Sequence, residues 1–242
     1  MNILAKKFFC AVLIAAIFAM KFSAVQADDD YEKYIPTNAP PEMNHEDSIY
    51  FAHPNFYEMT SDDDRVILTH YPTYQQTTLY TCGPACALTV LNYFGEKNFD
   101  EMTLAKEMKT HSTRGTSPEN IVNFFQKIGW QVKSSLTTAP LADYEEFRDF
   151  ILRNLRLGRP IMVENVELAG HWRVIIGYDG MKTETTFDDV LIFADPYDIG
   201  DHKQDGYTIG SVARFCEMWF DHNLFPKNQR LQPWVVAYPK NF

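Results

Sequence analysis

Hydrophobic positions along the chain follow two periods, and the change from one to the other divides it. Between Cys82 and Gly158 apolar residues recur every three to four positions, the spacing of one helix face. Cys82 to Tyr93 predicts a helix ended by Gly95, and "MTLAKEMKT" a short second one. "TSPENIVNFFQKIG" carries Ser117 as N-cap, Pro118 at the first helical position and Gly129 as the stop. "DYEEFRDFILRNLRLG" predicts an amphipathic helix ended at Gly158. After Pro160, strand-length blocks rich in Val, Ile and aromatics take over: "IMVENV", "HWRVIIGYD", "VLIFADPY" and "WVVAYP". "RVILTHY" and "WQVKSSL" predict earlier strands, and "VARFCEMWFDH" one more helix before the last strand. Helices first and strands later imply an α+β domain with a mostly antiparallel sheet. No internal repeat is present.

The N-terminus breaks both periods. Lys6 and Lys7 precede an apolar run from Phe8 to Met20, and Val25 and Ala27 are placed for cleavage before Asp28. The run is shorter than the roughly 20 residues needed to span a bilayer. Residues 1–27 therefore read as a cleaved signal peptide and imply a secreted or periplasmic protein. Cys10 lies too early in the run to be a lipid-attachment site. Residues 28–64 are rich in Asp, Glu, Pro and Asn without a sustained period, and read as an acidic arm that Phe51, Phe56 and Tyr57 can tack onto the domain. The domain proper then runs from 65 to 242.

Charge and cysteine count sharpen this picture. The signal holds three lysines and no acid, so its loss takes the formal charge from −10 to −13, with 19 basic against 32 acidic side chains. Such a chain repels nucleic acid and anionic lipid headgroups. Neither nucleic-acid binding nor stable membrane insertion after cleavage is expected, and the oligomeric state is not encoded in any motif. Cys82, Cys86 and Cys216 remain in a compartment that permits disulfides. An odd count leaves at least one thiol unpaired, and a Cys86–Cys216 bridge would leave Cys82 free.

Cys82 sits where a helix begins, with Thr81 available to cap, Gly83 leaving room near the backbone and Pro84 in the first turn. Unpaired N–H groups and the macrodipole favour a thiolate there. The same stretch reads equally well as a helix start with a small apolar cysteine. Catalysis would further need a base, an orienter and an oxyanion donor. His171 opens the strand "HWRVIIGYD" after Gly170, and Asp195 ends the next strand, so antiparallel pairing would set them side by side. Gln76, six residues before Cys82, could join the Cys82 amide in holding an oxyanion, although Gln75 is adjacent.

"QTTLYTCGPACALTVLNYFG", "GTSPENIVNFFQKIGW", "GHWRVIIGYD" and "DPY" together resemble the bacteriocin-processing, or double-glycine, peptidase family and its stand-alone relatives. The resemblance covers roughly Arg65 to Pro239. It implies a papain-like fold and a cysteine peptidase or amide hydrolase without a cofactor, acting on a peptide or small amide. It also implies site roles: Cys82 as nucleophile, His171 as base, Asp195 as orienter and Gln76 as oxyanion donor. No transporter segments follow the domain, and the loop "MKTETTFDD" between His171 and Asp195 is longer than the family minimum.

Three other readings are compatible with the residues: acyl transfer by the same set, as in the related phytochelatin synthases; a peptide-binding module without turnover; and a secreted metal-binding protein. The last would use Asp198, Asp201, His202 and Asp205. As a calcium loop that stretch puts Lys203 at the third position and Val212 where a bidentate Glu belongs, so a solvated acidic loop is the expectation. Zinc is disfavoured because Cys82 and Cys86 share one helix with no second ligand pair. Cys86 and Trp172 read as packing residues, with Trp172 alternatively walling a cleft.

Overall fold

The computed structural model describes residues 53–201 and 203–242. The expected signal segment with its cleavage point after Ala27, Cys10, Phe51, the rest of the arm before residue 53, and His202 lie outside the described residues. Among the described residues no helix is long and apolar enough to cross a membrane.

The chain forms β1 (Arg65–Ile67), α1 (Cys82–Tyr93), α2 (Glu101–Glu107), α3 (Pro118–Lys127), β2 (Gln131–Ser134) and α4 (Tyr144–Arg156). There follow β3 (Ile161–Asn165), β4 (His171–Asp179), β5 (Val190–Ala194), β6 (Tyr207–Ser211), α5 (Val212–Met218) and β7 (Trp234–Tyr238). The strands make one sheet in the order β2-β7-β3-β4-β5-β6, with β1 added beside β4. Every pairing among them is antiparallel. The fold is the α+β, papain-like one expected, with four of the five described α-helices preceding β3 and α5 set between β6 and β7.

Local chemistry accounts for the helix boundaries. Asp100, Ser117, Asp143 and Ser211 each accept a backbone N–H of the first turn, capping α2, α3, α4 and α5. Gly95, Gly129 and Gly158 follow α1, α3 and α4 with positive φ, as helix stops do. α1 differs in having its first ten residues buried, so it needs no polar face. It packs on β4 and α2, while α4 lies against β4, β1 and β3. Trp172, Leu91, Ile121 and Phe147 are among the fully buried side chains of the core that these elements enclose.

The structure corrects or sharpens the sequence expectation in four places. The first strand stops at Ile67: Leu68 still donates its N–H to the Ile176 carbonyl of β4, but the chain then turns, with His70 at φ 57°. Residues 53–64, within the stretch read as an arm, lie on the domain: Phe56 is buried, and Ser61 Oγ bonds both the N–H and the carbonyl of Ile67. The acidic stretch after Asp195 is not simply a solvated loop. Its second part forms edge strand β6, and Asp198 is fully buried, accepting the Gly206 N–H at 2.7 Å. Finally, Cys86 and Cys216 are unpaired, as is Cys82; the Cys86 thiol bonds the Trp172 carbonyl at 3.2 Å instead.

Gly206 closes the β5–β6 connection with φ 82°, and a Cβ there would collide with Thr73. Gly206→Ala is expected to cost about 1–3 kcal/mol through backbone strain and that collision. Urea unfolding should show a lower midpoint; an unchanged midpoint would contradict this account of the turn.

Candidate active site

Antiparallel pairing of β4 with β5 sets Val174 opposite Ala194, so the residue after Ala194 comes back towards the start of β4. His171 opens β4, and its Nε2 lies 2.7 Å from Asp195 Oδ1 with both side chains buried. The 180–189 loop joins the two strands at their other end, so its extra length leaves this meeting point undisturbed. The other ring nitrogen is left for Cys82, which lies near enough to act electrostatically on the imidazole. Three of the residues singled out from sequence therefore converge, and Tyr197 stands edge-on to the imidazole at 6.2 Å.

Burial by itself would pull His171 down; the Asp195 charge and hydrogen bond, then Cys82, outweigh it and raise the imidazole to about 9. Asp195 shows the converse. Burial pushes it up, but His171, then Arg173 and the Tyr197 N–H, hold it well below the ordinary carboxylate range. The pair thus rests as imidazolium and carboxylate. Asp195 is itself fixed: Oδ1 also accepts the N–H groups of Tyr197 and Asp198, and Oδ2 accepts the Thr208 hydroxyl at 3.2 Å.

Cys82 begins α1, so its N–H has no acceptor within the helix. Thr81 does not cap, contrary to expectation, because its hydroxyl bonds Thr78 instead. With no acid in the first turn either, α1 presents an uncompensated positive end to the thiol. Gly83 serves packing rather than substrate access, since a Cβ there would stand 2.9 Å from Thr116 Cβ. Trp172 is core, its indole N–H donating to the Thr116 carbonyl at 2.9 Å.

The two glutamines separate by what their amides hold. Gln75 Nε2 donates to the carbonyls of Pro196 and Tyr197, each at 3.0 Å, and so clamps the turn that follows Asp195. Gln76 is buried; its Nε2 donates to the Thr78 carbonyl at 2.7 Å, within the connection that leads to Cys82. An N–H of that amide remains for an incoming oxygen. Sequence reasoning missed Gln75 as a clamp and Thr208 as the hydroxyl behind Asp195. Thr208 could have been found only by recognising "YTIGS" as a strand.

The other thiols are poorly suited to attack. Burial pushes Cys86 well up, with Cys82 and Asp195 adding to the effect, and burial pushes Cys216 to about 11. In the acidic loop, burial raises Asp198 to about 8 against the pull of the Gly206 N–H. His53 Nε2 lies 3.2 Å from Asp201 and 3.5 Å from Asp205, which is charge proximity without an aligned hydrogen bond. A cavity of about 390 Å³ lined by Arg173, Phe193 and Arg214 includes none of Gln76, Cys82, His171 or Asp195.

The model of the Peptidase_C39 like family matches residues 68–220, a span that includes all four of those residues. The chain belongs to that family. It is a cysteine peptidase. Among solved structures, a C39-like peptidase from Bacillus anthracis is 14% identical with a TM-score of 0.52, covering 74% of this chain and 99% of that one. The peptidase domain of Streptococcus ComA, a bi-functional ABC transporter, is 21% identical with a TM-score of 0.47, covering 71% and 100%. A double glycine motif protease from an AMS/PCAT transporter, in complex with the leader peptide, is 15% identical with a TM-score of 0.42, covering 70% and 91%. No curated protein matches the chain.

The pH dependence of this peptidase's stability follows from the ion pair. His171, raised to about 9 from 6.5, contributes stability that is complete below 6.5 and lost as pH climbs through about 9. Asp195, lowered from 3.8, contributes stability present above 3.8 and lost as pH falls through its depressed value. Both shifts describe one interaction. The unfolding free-energy gap between wild type and Asp195→Asn should be widest between 3.8 and 6.5 and narrow as pH passes about 9. A gap that stays constant from about pH 5 to about pH 10 would rule out the charged pair.

Proposed function

We propose that this cysteine peptidase hydrolyses a peptide or small amide outside the cytoplasm through Cys82, His171, Asp195 and Gln76. The observation that supports it best is the buried His171–Asp195 pair, with Cys82 close to the imidazole at an uncapped helix start. The extracytoplasmic setting rests on the sequence of residues 1–27, a charged start followed by an apolar run and small residues.

In the proposed reaction the Cys82 thiolate, its proton held on His171, attacks the carbonyl carbon of the scissile amide. The oxygen becomes an oxyanion between the Cys82 N–H and the Gln76 amide. The amine leaves as His171 returns the proton, and a thioester remains on Cys82. Water, deprotonated by His171, then attacks the thioester and releases the acid. Asp195 keeps the ring oriented and its charge compensated throughout.

Cleavage of an internally quenched peptide library should vanish in Cys82→Ala. Gln76→Ala should lose about 10²-fold in rate, the usual worth of one oxyanion donor, with Asp195→Asn between the two. Full cleavage by Cys82→Ala would sink the mechanism.

Iodoacetamide supplies a check that needs no substrate. At about pH 6, thiols with raised pKa values are almost wholly protonated, so Cys82 should be modified ahead of Cys86 and Cys216, as mapped by mass spectrometry. His171→Ala should erase that preference. Equal, slow labelling of all three cysteines would point to a binding module without turnover.

A further inference from the structure

Glu164 is a fully buried residue of β3 for which neither carboxyl oxygen has a hydrogen-bond partner. Its neighbour Asn165 pairs with His171, and Glu164 itself pairs with Trp172, so the side chain stands beside the catalytic strand end. Gly170, immediately before His171, comes close to it: a Cβ on that glycine would lie 3.0 Å from Glu164 Oε1. Leu224 closes over the same glycine, its Cδ1 2.5 Å from where that Cβ would stand, so the carboxyl reaches the strand end across a glycine and one leucine side chain. No Lys or Arg among the described residues forms an ion pair with Glu164.

A carboxyl held dry and unpartnered is a standing cost to the fold, and buried polar groups ordinarily find partners. Its surroundings add negative charge. Asp221 is buried nearby, committed to the N–H groups of Leu224 and Phe225 and set 3.6 Å from Arg230 Nε. Burial, then Asp221, then Cys82 all push Glu164 well above the ordinary carboxylate range. An entering cation would reverse each of these: it brings N–H donors to both oxygens and favours the ionised carboxylate. A neutral or anionic group would leave the negative field in place.

We propose that Glu164 is the receptor for a cationic group of the substrate, a primary ammonium or guanidinium, in a subsite beside Cys82. This rests on Cys82 being the nucleophile of the proposed peptidase. Glu164 acts on specificity; it takes no part in bond making.

The test uses thiol reagents of one reactive class and different charge on the full mature chain: 2-aminoethyl methanethiosulfonate and uncharged methyl methanethiosulfonate. Each forms a mixed disulfide, read at each cysteine by mass spectrometry. In wild type the ammonium reagent should modify Cys82 roughly tenfold faster than the uncharged one, the scale of one charge-assisted contact. That advantage should fall towards unity at Cys82 in both Glu164→Gln and Glu164→Leu, with the uncharged reagent still reacting as in wild type in at least one of them. General attraction to an acidic protein would survive either substitution. If Cys82 is modified selectively and its ammonium advantage is absent or unchanged in a variant that keeps the uncharged rate, the Glu164 inference is overturned and the peptidase mechanism stands. If the uncharged reagent does not favour Cys82 over Cys86 and Cys216, the nucleophile assignment fails, and the inference with it.

Discussion

A charged pair out of water is tolerable only where its partners are held at hydrogen-bond distance and their remaining lone pairs are satisfied. The His171–Asp195 pair meets that condition because the sheet fixes it at the shared end of two antiparallel strands. β4 and β5 set the separation, and the turn after β5 supplies two N–H groups to the same oxygen that receives the imidazole. Thr208 on β6 occupies the other oxygen, and Gln75 ties the turn down from across the fold. Much of the C-terminal half is thus a mount for one carboxylate. The edge strand, the buried Asp198 and the left-handed Gly206 make sense in that light, since each holds the turn that carries Asp195.

The helical half meets the pair with the opposite economy. Four helices satisfy their first turns with a side chain, whereas α1 leaves its N-terminus without a side-chain cap or a nearby acid. An orphan N–H at a buried helix start is a defect unless an anion completes it. In the proposed reaction that anion is the Cys82 thiolate, and later the oxyanion that grows beside it. Diverting the Thr81 hydroxyl to Thr78 keeps the position open, and the Gln76 amide lies on the same connection. Burial of α1 on nearly every side compensates for the missing cap through packing rather than electrostatics.

How much of this is legible in the sequence depends on whether a feature is local. Helix ends are local: Ser117, Pro118 and Gly129 announce α3, and the structure places it there. Gln76, Cys82, His171 and Asp195 are legible because each sits in a distinctive short context, and antiparallel succession brings the last two together. β6 is not legible, because "DGYTIGS" follows a run of acids whose composition mimics a solvated loop. Thr208 and Gln75 escape for a related reason. Their partners lie 13 and about 120 positions away, and nothing in their own neighbourhoods marks them. Thr81 shows the converse failure, a good local capping signal overridden by a competing hydroxyl three residues earlier.

Glu164 falls in the same blind spot, and its placement bears on how the site balances charge. Inside β3 it reads as one polar letter in an apolar strand, which a sequence pattern takes for an outward-facing position. In the fold it is buried, and its neighbours are a thiol that must become negative and an aspartate already spent on backbone N–H groups. An ionised Glu164 would raise the cost of the thiolate, while a neutral one leaves the helix dipole and His171 to set it. The resting site therefore favours the neutral carboxyl. That preference relaxes when a cation is present, because one positive charge screens Glu164 from Cys82 as it binds. Recognition and reactivity are in this way coupled through a single electrostatic field, with no moving part required between them.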